Sequence, residues 1–90
     1  MKFEWDEDKA AANLRKHGVS FAEASTAFAD DLSLTGNDPD HSRGEHRFVT
    51  FGVSSVGRLL VISHVERTSH IRIISARPAT RIERKFYEET

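Results

Sequence analysis

The fold of this chain is decided by one stretch in its second half, Glu66-Arg67-Thr68-Ser69-His70-Ile71-Arg72-Ile73-Ile74-Ser75-Ala76-Arg77. The β-branched isoleucines in its middle favour a β-strand, and Pro78 ends strand pairing because proline has no backbone N–H to donate. Apolar residues occur on both faces of the pleat, which is typical of an inner strand. Arginines also lie in the stretch and near both of its ends: Arg67, Arg72 and Arg77. Burying an unpaired arginine is costly, so we expect each to reach solvent, pair with a carboxylate or hold an anion.

The segments before this strand predict a short strand and two helices. Lys2-Phe3-Glu4-Trp5 alternates polar and apolar residues, which is typical of a strand. Asp6 predicts the start of the first helix and Gly18 its end. Ser20 with Glu23 predicts a capping box that opens a second, shorter helix. We expect the two helices to form a hairpin.

Further strands and a closing helix follow along the chain. Residues 32–35, 45–52 and 58–65 predict strands, and 58–65 is apolar on both faces, as a central strand would be. Residues 79–89 predict a helix. Short connections imply antiparallel neighbours. The predicted fold class is therefore α+β: a small antiparallel β-sheet with an N-terminal helical hairpin on one face and a C-terminal helix, in one domain spanning residues 1–90.

Composition restricts the classes of function. The chain has no cysteine, which excludes disulfides and thiolate metal sites. No apolar run approaches the roughly 18 residues of a membrane span, and the N-terminus does not resemble a secretory leader, so we expect a cytoplasmic protein without a membrane partner. Residues 1–40 carry four basic residues against nine acids, and residues 41–90 carry nine basic residues against five acids. This asymmetry predicts a basic surface for a polyanion, unless the charges pair across the fold.

The chemistry-bearing residues are arginines and histidines in or beside the predicted sheet. The sequence has no glycine-rich phosphate loop, metalloprotease helix motif or nucleophile elbow. Arginine binds phosphate through two nitrogens and histidine exchanges protons, which are the groups that RNA cleavage without a metal or cofactor requires. A structural role is the alternative for each residue: Arg77 would pair with Glu83 or with the N-terminal acids, for example, and Glu45 with Arg47 or Arg43.

Several segments carry a family resemblance: Phe3-Glu4-Trp5-Asp6, Lys16-His17-Gly18-Val19-Ser20-Phe21, Gly57-Arg58 and Arg72-Ile73-Ile74-Ser75-Ala76-Arg77. In this order they resemble the BrnT family of toxins over nearly the whole chain. The middle departs from the family, because Asp30-Asp31-Leu32 stands where the family often has Asp-Pro. The resemblance implies a RelE-like fold and a ribonuclease that cleaves RNA and so arrests translation and growth. It also implies a DNA-binding antitoxin, BrnA, that neutralises the toxin and through which alone the promoter DNA is contacted.

The sequence and the resemblance together predict a ribonuclease toxin of a type II toxin–antitoxin system. Two arginines would hold the scissile phosphate or stabilise its transition state, and a carboxylate or a histidine would exchange the proton. The predicted catalytic residues are Arg67, Arg77, Glu45 and His41. The predicted contacts to the RNA backbone are Arg58, Arg72, Lys16 and His17. The alternatives are a non-catalytic basic binding module and a corepressor partner of the antitoxin.

Overall fold

A five-stranded sheet with three α-helices makes up the part of the chain that the computed structural model describes, which is residues 1–41 and 44–89, with His41 described in its backbone alone. The strands are β1 Lys2–Glu4, β2 Leu34–Asn37, β3 Arg47–Val53, β4 Leu59–Glu66 and β5 His70–Pro78. The helices are α1 Glu7–His17, α2 Phe21–Thr26 and α3 Arg81–Glu88, with short 3-10 turns at Ala27–Ala29 and Pro39–His41. No helix among these residues is long and apolar enough to cross a membrane.

The sheet has the strand order β1-β5-β4-β3-β2, and it is mixed rather than antiparallel. Strands β2 to β5 pair antiparallel with their neighbours, but β1 pairs parallel with β5. The α+β class is confirmed, whereas the predicted all-antiparallel sheet is wrong. The reason is that short connections constrain only consecutive strands, and β1 and β5 are the first and last strands in the chain. The inner position of β5 and the central position of β4 are confirmed.

Helices α1 and α2 begin at the predicted caps. The Asp6 side chain accepts a hydrogen bond from the Lys9 backbone N–H at 3.0 Å, and Gly18 ends α1 with φ of 70°, a left-handed conformation that glycine adopts without strain. Ser20 caps α2 by accepting from the Glu23 backbone N–H at 3.0 Å. The predicted helical hairpin is not confirmed, because α1 and α2 both pack on β5 and make few contacts with each other.

The main hydrophobic core lies between these two helices and one face of the sheet. Its buried residues are Val19, Phe21, Ala24, Ala27, Leu60, Ile62, Ile71, Ile73 and Ala76. Asn13 is buried beside this core, where its amide donates to the carbonyls of Val19 and Ala76 and accepts from the Ala76 N–H. Gly52 of β3 lies so close to Ala27 that a Cβ would stand 2.5 Å from the Ala27 carbonyl oxygen. The core therefore depends on an amide bridge and on a glycine as well as on apolar packing.

The sheet face opposite α1 and α2 is called the arginine face here, because Arg47, Arg72 and Arg77 lie on it. A β-bulge between Ser63 and His64 adds one residue to β5 and puts Arg72 and Arg77 on the same face, although they are five residues apart. Strict alternation would have placed them on opposite faces. The bulge therefore brings the arginines of β5 together on one surface.

Helix α3 lies at one end of the arginine face. The Phe86 ring centroid is 6.3 Å from that of Phe51 in β3. The Tyr87 hydroxyl donates to Asp30 Oδ2 at 2.6 Å, and burial together with this bond raises the pKa of Tyr87 to about 12. No residue of α3 is buried, so mainly polar contacts hold the helix on the sheet.

Candidate functional site

Five polar residues meet at the edge of the sheet where β4 turns into β5, and we call them the Glu4 cluster: Glu4, Glu45, Arg67, His70 and Arg72. Glu4 Oε1 is 2.9 Å from His70 Nε2, 3.4 Å from Arg67 Nε and 3.6 Å from Arg72 Nη1. Arg67 Nη2 is also 3.1 Å from Glu45 Oε2. The Glu4 carboxylate thus contacts an imidazole and two guanidinium groups, and the Glu45 carboxylate joins the cluster through Arg67.

Strand pairing explains how residues so distant in sequence come together. The parallel register sets Lys2 opposite His70 and Glu4 opposite Arg72, so the Glu4 side chain lies beside both residues of β5. The Arg67 N–H donates to the His70 carbonyl at 2.8 Å and closes the β4–β5 turn. Glu4, His70 and Arg72 are therefore held on strands, and Arg67 and Glu45 lie just outside the ends of β4 and β3, where the polar groups remain in contact with solvent.

The electrostatics of the cluster centre on the Glu4 carboxylate. Its partial burial alone would raise the pKa of Glu4, but the hydrogen bond from His70 and the charges of Arg72 and Arg67 together lower it below its usual value. The side chains keep between 29% and 53% of their exposure. The cluster is therefore a charged group that remains accessible to solvent, with Glu4 held as the anion.

The structure brings together two of the four predicted catalytic residues. Arg67 and Glu45 are in contact, whereas Arg77 lies near the opposite end of β5. At about 3.3 Å per residue, the two ends of this strand are on the order of 20 Å apart, too far for Arg67 and Arg77 to hold the same phosphate. The side chain of His41 lies outside the part of the chain that is described.

Arg77 forms the ion pair that was the structural alternative. Its guanidinium donates to both Glu83 oxygens, at 2.7 and 2.8 Å. The hydrogen bonds from Arg77 lower the pKa of Glu83 to about 2, and the pKa of Arg77 is raised in turn. Glu83 also accepts from the Thr80 N–H at 2.9 Å and so completes a capping box at the start of α3. Arg77 is therefore occupied by an anion of the protein itself.

The predicted RNA-backbone contacts lie on two sides of the sheet. Arg72 belongs to the Glu4 cluster. Arg58 instead donates to the Glu23 carboxylate of α2 and to the Gly18 carbonyl, and Glu23 also accepts from the Ser54 hydroxyl. Lys16 and His17 end α1, which packs on the same side as α2. Any RNA contact by Arg58, Lys16 or His17 would be made away from the cluster.

The sequence indicated His70 only as one of the histidines in or beside the sheet, without a catalytic role, and it did not indicate Glu4 as a site residue. Glu4 occurs in an alternating segment that predicts only a strand, and the parallel register that sets it beside His70 leaves no local pattern. The charge asymmetry between the two parts of the chain was the available signal. The alternative explanation of this asymmetry, that charges pair across the fold, holds for Glu4 and Glu23. These N-terminal acids pair with arginines of the C-terminal part. Among the described residues, no group of three His, Asp or Glu side chains is arranged to hold a metal ion.

Comparisons with known proteins agree with this architecture. The family model described as the ribonuclease toxin, BrnT, of type II toxin–antitoxin systems matches residues 5–83. Among solved structures, the 1.1 Å crystal structure of the Brucella abortus ribonuclease toxin BrnT is similar, with a TM-score of 0.65 and 24% sequence identity. That match covers 90% of this chain and 99% of the Brucella chain, and at this identity it supports the fold alone. A search of curated proteins found no match. Because the family model covers most of its length, the chain belongs to the BrnT family of ribonuclease toxins of type II toxin–antitoxin systems.

Proposed function

We propose that this protein is a single-domain endoribonuclease toxin that cleaves RNA at the Glu4 cluster without a metal or cofactor. It would act in the cytoplasm, where cleavage of RNA arrests translation and growth. The observation that carries the proposal is the contact network of Glu4, Glu45, Arg67, His70 and Arg72. Metal-free cleavage requires a base, an acid and a cation at one phosphate, and this network contains a candidate residue for each role.

In the proposed reaction, the Glu45 carboxylate removes the proton from the ribose 2′-OH. The 2′ oxygen then attacks phosphorus and forms a 2′,3′-cyclic phosphate, while the bond from phosphorus to the 5′ oxygen breaks. Protonated His70 donates its proton to that departing oxygen. The proton count balances, because Glu45 gains one proton and His70 loses one, and water restores both groups afterwards.

The remaining residues of the cluster would position and stabilise these groups. Glu4 Oε1 lies 2.9 Å from His70 Nε2 and would orient the imidazole for the acid step. Arg67 contacts both carboxylates, so it is placed to stabilise the additional negative charge of the phosphorane. Arg72 would hold an adjacent phosphate of the backbone. Glu4 is thus a positioning residue, and Glu45, His70 and Arg67 are the groups that touch the substrate.

The partner of this toxin would be a BrnA-type antitoxin that binds DNA. We propose that an acidic segment of the antitoxin covers the arginine face and prevents RNA from reaching it. Support comes from the position of Arg47, Arg72 and Arg77 on one face, which favours an anionic partner. Promoter DNA would be contacted through the antitoxin only.

Incubation of the purified protein with single-stranded RNA in the presence of EDTA tests the proposed chemistry. We expect cleavage with 2′,3′-cyclic phosphate ends, and we expect Glu45→Gln and His70→Ala to slow it by roughly 10²–10⁴-fold, as loss of a general base or acid does. Arg15→Ala, which removes an exposed charge from α1, is the control and should cleave normally. Intact RNA with correctly folded protein would instead support a non-catalytic binding module.

Growth of a bacterial host tests the proposed toxicity. Expression of the wild-type chain alone should stop translation, and co-expression of the antitoxin should restore growth. The His70→Ala variant should be tolerated at the same protein level. Normal growth with soluble wild-type protein would contradict an active toxin and would favour a corepressor role.

A further inference from the structure

A second site lies on the arginine face, beside the Glu4 cluster and outside it. A cleft of about 460 Å³ runs over β3, β4 and β5 as far as α3. Its apolar floor consists of Val49, Phe51, Val61 and Ile74. Its size and its mixture of an apolar floor with a few polar groups are typical of small-molecule sites. The reaction proposed at the Glu4 cluster leaves this cleft without a role.

We propose that the cleft binds one nucleotide of a single-stranded RNA a few nucleotides along the strand from the scissile phosphate, with its base on the apolar floor and its phosphate on Arg77. This inference rests on the proposed ribonuclease function, and it gives a binding site to a part of the RNA that does not react. Phe51 provides an aromatic surface for a base, as proteins that bind single-stranded nucleic acid commonly do. Ser63 and Ser75 stand opposite each other in the β4–β5 pairing and line the cleft, where their hydroxyls can contact base edges.

The register of the sheet makes the cleft continuous with the cluster. Arg47, Val65, Arg72 and Glu4 form one row across four strands, because each is paired with the next. Arg47 also lines the cleft, so this row is shared between the two sites. Arg77 is paired with Val61, four residues along β4 from Val65, which corresponds to about 13 Å. A strand that reacts at the cluster can therefore continue along the cleft to Arg77.

Glu83 occupies the position on Arg77 that an RNA phosphate would take. Its two oxygens accept from both terminal nitrogens of the guanidinium, which is the same bidentate geometry that a phosphate adopts. Both side chains are partly exposed, at 40% for Arg77 and 25% for Glu83, so a ligand can reach them. RNA must compete with this internal carboxylate, and removal of the Glu83 charge should strengthen RNA binding.

The Glu83→Gln variant separates this competition from the stability of α3. Glutamine also serves in a capping box, so the helix start is retained while the negative charge on Arg77 is lost. Affinity is measured with a single-stranded 2′-O-methyl oligoribonucleotide, which cannot be cleaved because it lacks the attacking hydroxyl. We expect Glu83→Gln to bind several-fold more tightly and Arg77→Ala about tenfold more weakly, with Arg77→Lys between the wild type and Arg77→Ala.

Filling the cleft gives an independent test. Ser63→Trp should weaken binding of the same oligonucleotide and raise KM for cleavable RNA, without lowering kcat at saturating RNA. Unchanged affinity in Glu83→Gln, Arg77→Ala and Ser63→Trp, each with a thermal transition like that of the wild type, would overturn the proposal. A Ser63→Trp variant that binds RNA normally but escapes the antitoxin would also overturn it, because the cleft would then be a protein-docking surface.

The two proposals fail in different ways. His70→Ala belongs to the proposed reaction and should bind the oligonucleotide like the wild type while losing cleavage. If His70→Ala still cleaves but the variants of Arg77 and Glu83 change affinity, the cleft stands and the assigned reaction is wrong. If His70→Ala loses cleavage and the variants of the cleft leave affinity unchanged, the proposed nucleotide site is wrong and the proposed reaction stands.

Discussion

Acidification should destabilise this protein through one buried histidine. His64 lies in β4 with none of its surface exposed, between the rings of Phe28 and Phe48. Its Nε2 is 2.7 Å from Thr50 Oγ1, and its Nδ1 has no hydrogen-bond partner among the described residues. A protonated imidazole has two N–H donors, so protonation would bury a charge and leave one donor without an acceptor.

The size of the effect follows from the pKa of His64, which burial lowers from 6.5 to about 4. Between these pH values the unfolded chain binds a proton at this histidine and the folded protein does not, so the free energy of unfolding falls as pH falls. The stability that depends on a neutral His64 is fully present above pH 6.5 and is lost by about pH 4. At about 1.4 kcal/mol per pKa unit, the loss is about 3 kcal/mol, or roughly 10–20 °C in Tm for a domain of this size.

Urea unfolding between pH 4.5 and pH 7 measures this loss in the wild type and in His64→Gln. Glutamine can keep one hydrogen bond to Thr50 but does not titrate. Acid also destabilises the fold through carboxylates whose pKa is lowered in the folded state, such as Glu83 and Glu23. This loss of stability is the same in both proteins, so it cancels in the comparison. We expect the variant to be less stable at pH 7, but we expect its free energy of unfolding to change much less with pH. The same pH dependence in both proteins would refute the assignment to His64.

Three further predictions concern stability and RNA binding. Asn13→Ala removes the buried hydrogen bonds to the Val19 carbonyl and to both Ala76 backbone groups. It should lower the free energy of unfolding in urea titrations by about 2–4 kcal/mol, and Asn13→Asp should be no more stable than Asn13→Ala. Gly52→Ala should cost about 1–3 kcal/mol, because its Cβ would lie 2.5 Å from the Ala27 carbonyl oxygen, whereas a wild-type Tm would show that this contact relaxes freely. RNA affinity should fall steeply with salt, because arginines displace counterions from phosphates, and a slope near zero would contradict an electrostatic interface.

Local patterns predicted much of the fold. The caps at Asp6 and Ser20, the glycine stop at Gly18 and the apolar segment of β4 act within a few residues, and the structure has each of them in place. The strand predicted at residues 32–35 forms two residues later, as β2 at Leu34–Asn37. Strand ends are set by pairing with a neighbour, which a short segment does not encode.

Features that depend on residues far apart in the sequence could not be predicted from local patterns. The capping box predicted at Ser20 and Glu23 is only half formed, because the Glu23 carboxylate binds Arg58 and Ser54 instead of returning to the helix start. The complete box occurs at Thr80, where Glu83 both caps α3 and binds Arg77.

The candidate site was equally hard to predict, since it depends on sheet register. The residues Arg67, Glu45 and Arg72 were selected from the sequence by residue type. Their grouping around Glu4 requires the parallel pairing of β1 with β5, and the shared face of Arg72 and Arg77 requires the β-bulge. A shift of one residue in either pairing would move these side chains to the opposite face.

The two arginines near the ends of β5 give the most direct test of where the reaction occurs. Single-turnover cleavage of RNA by Arg67→Ala and Arg77→Ala is measured from low to saturating concentrations of protein, with Tm as the check on folding. If Arg67 stabilises the phosphorane, Arg67→Ala should lower the saturating rate by roughly 10²–10³-fold, with Arg67→Lys in between. Arg77→Ala should keep the saturating rate and require more protein to reach it. The reverse pattern, with Arg77→Ala losing the saturating rate and Arg67→Ala keeping it, would contradict a reaction at the Glu4 cluster.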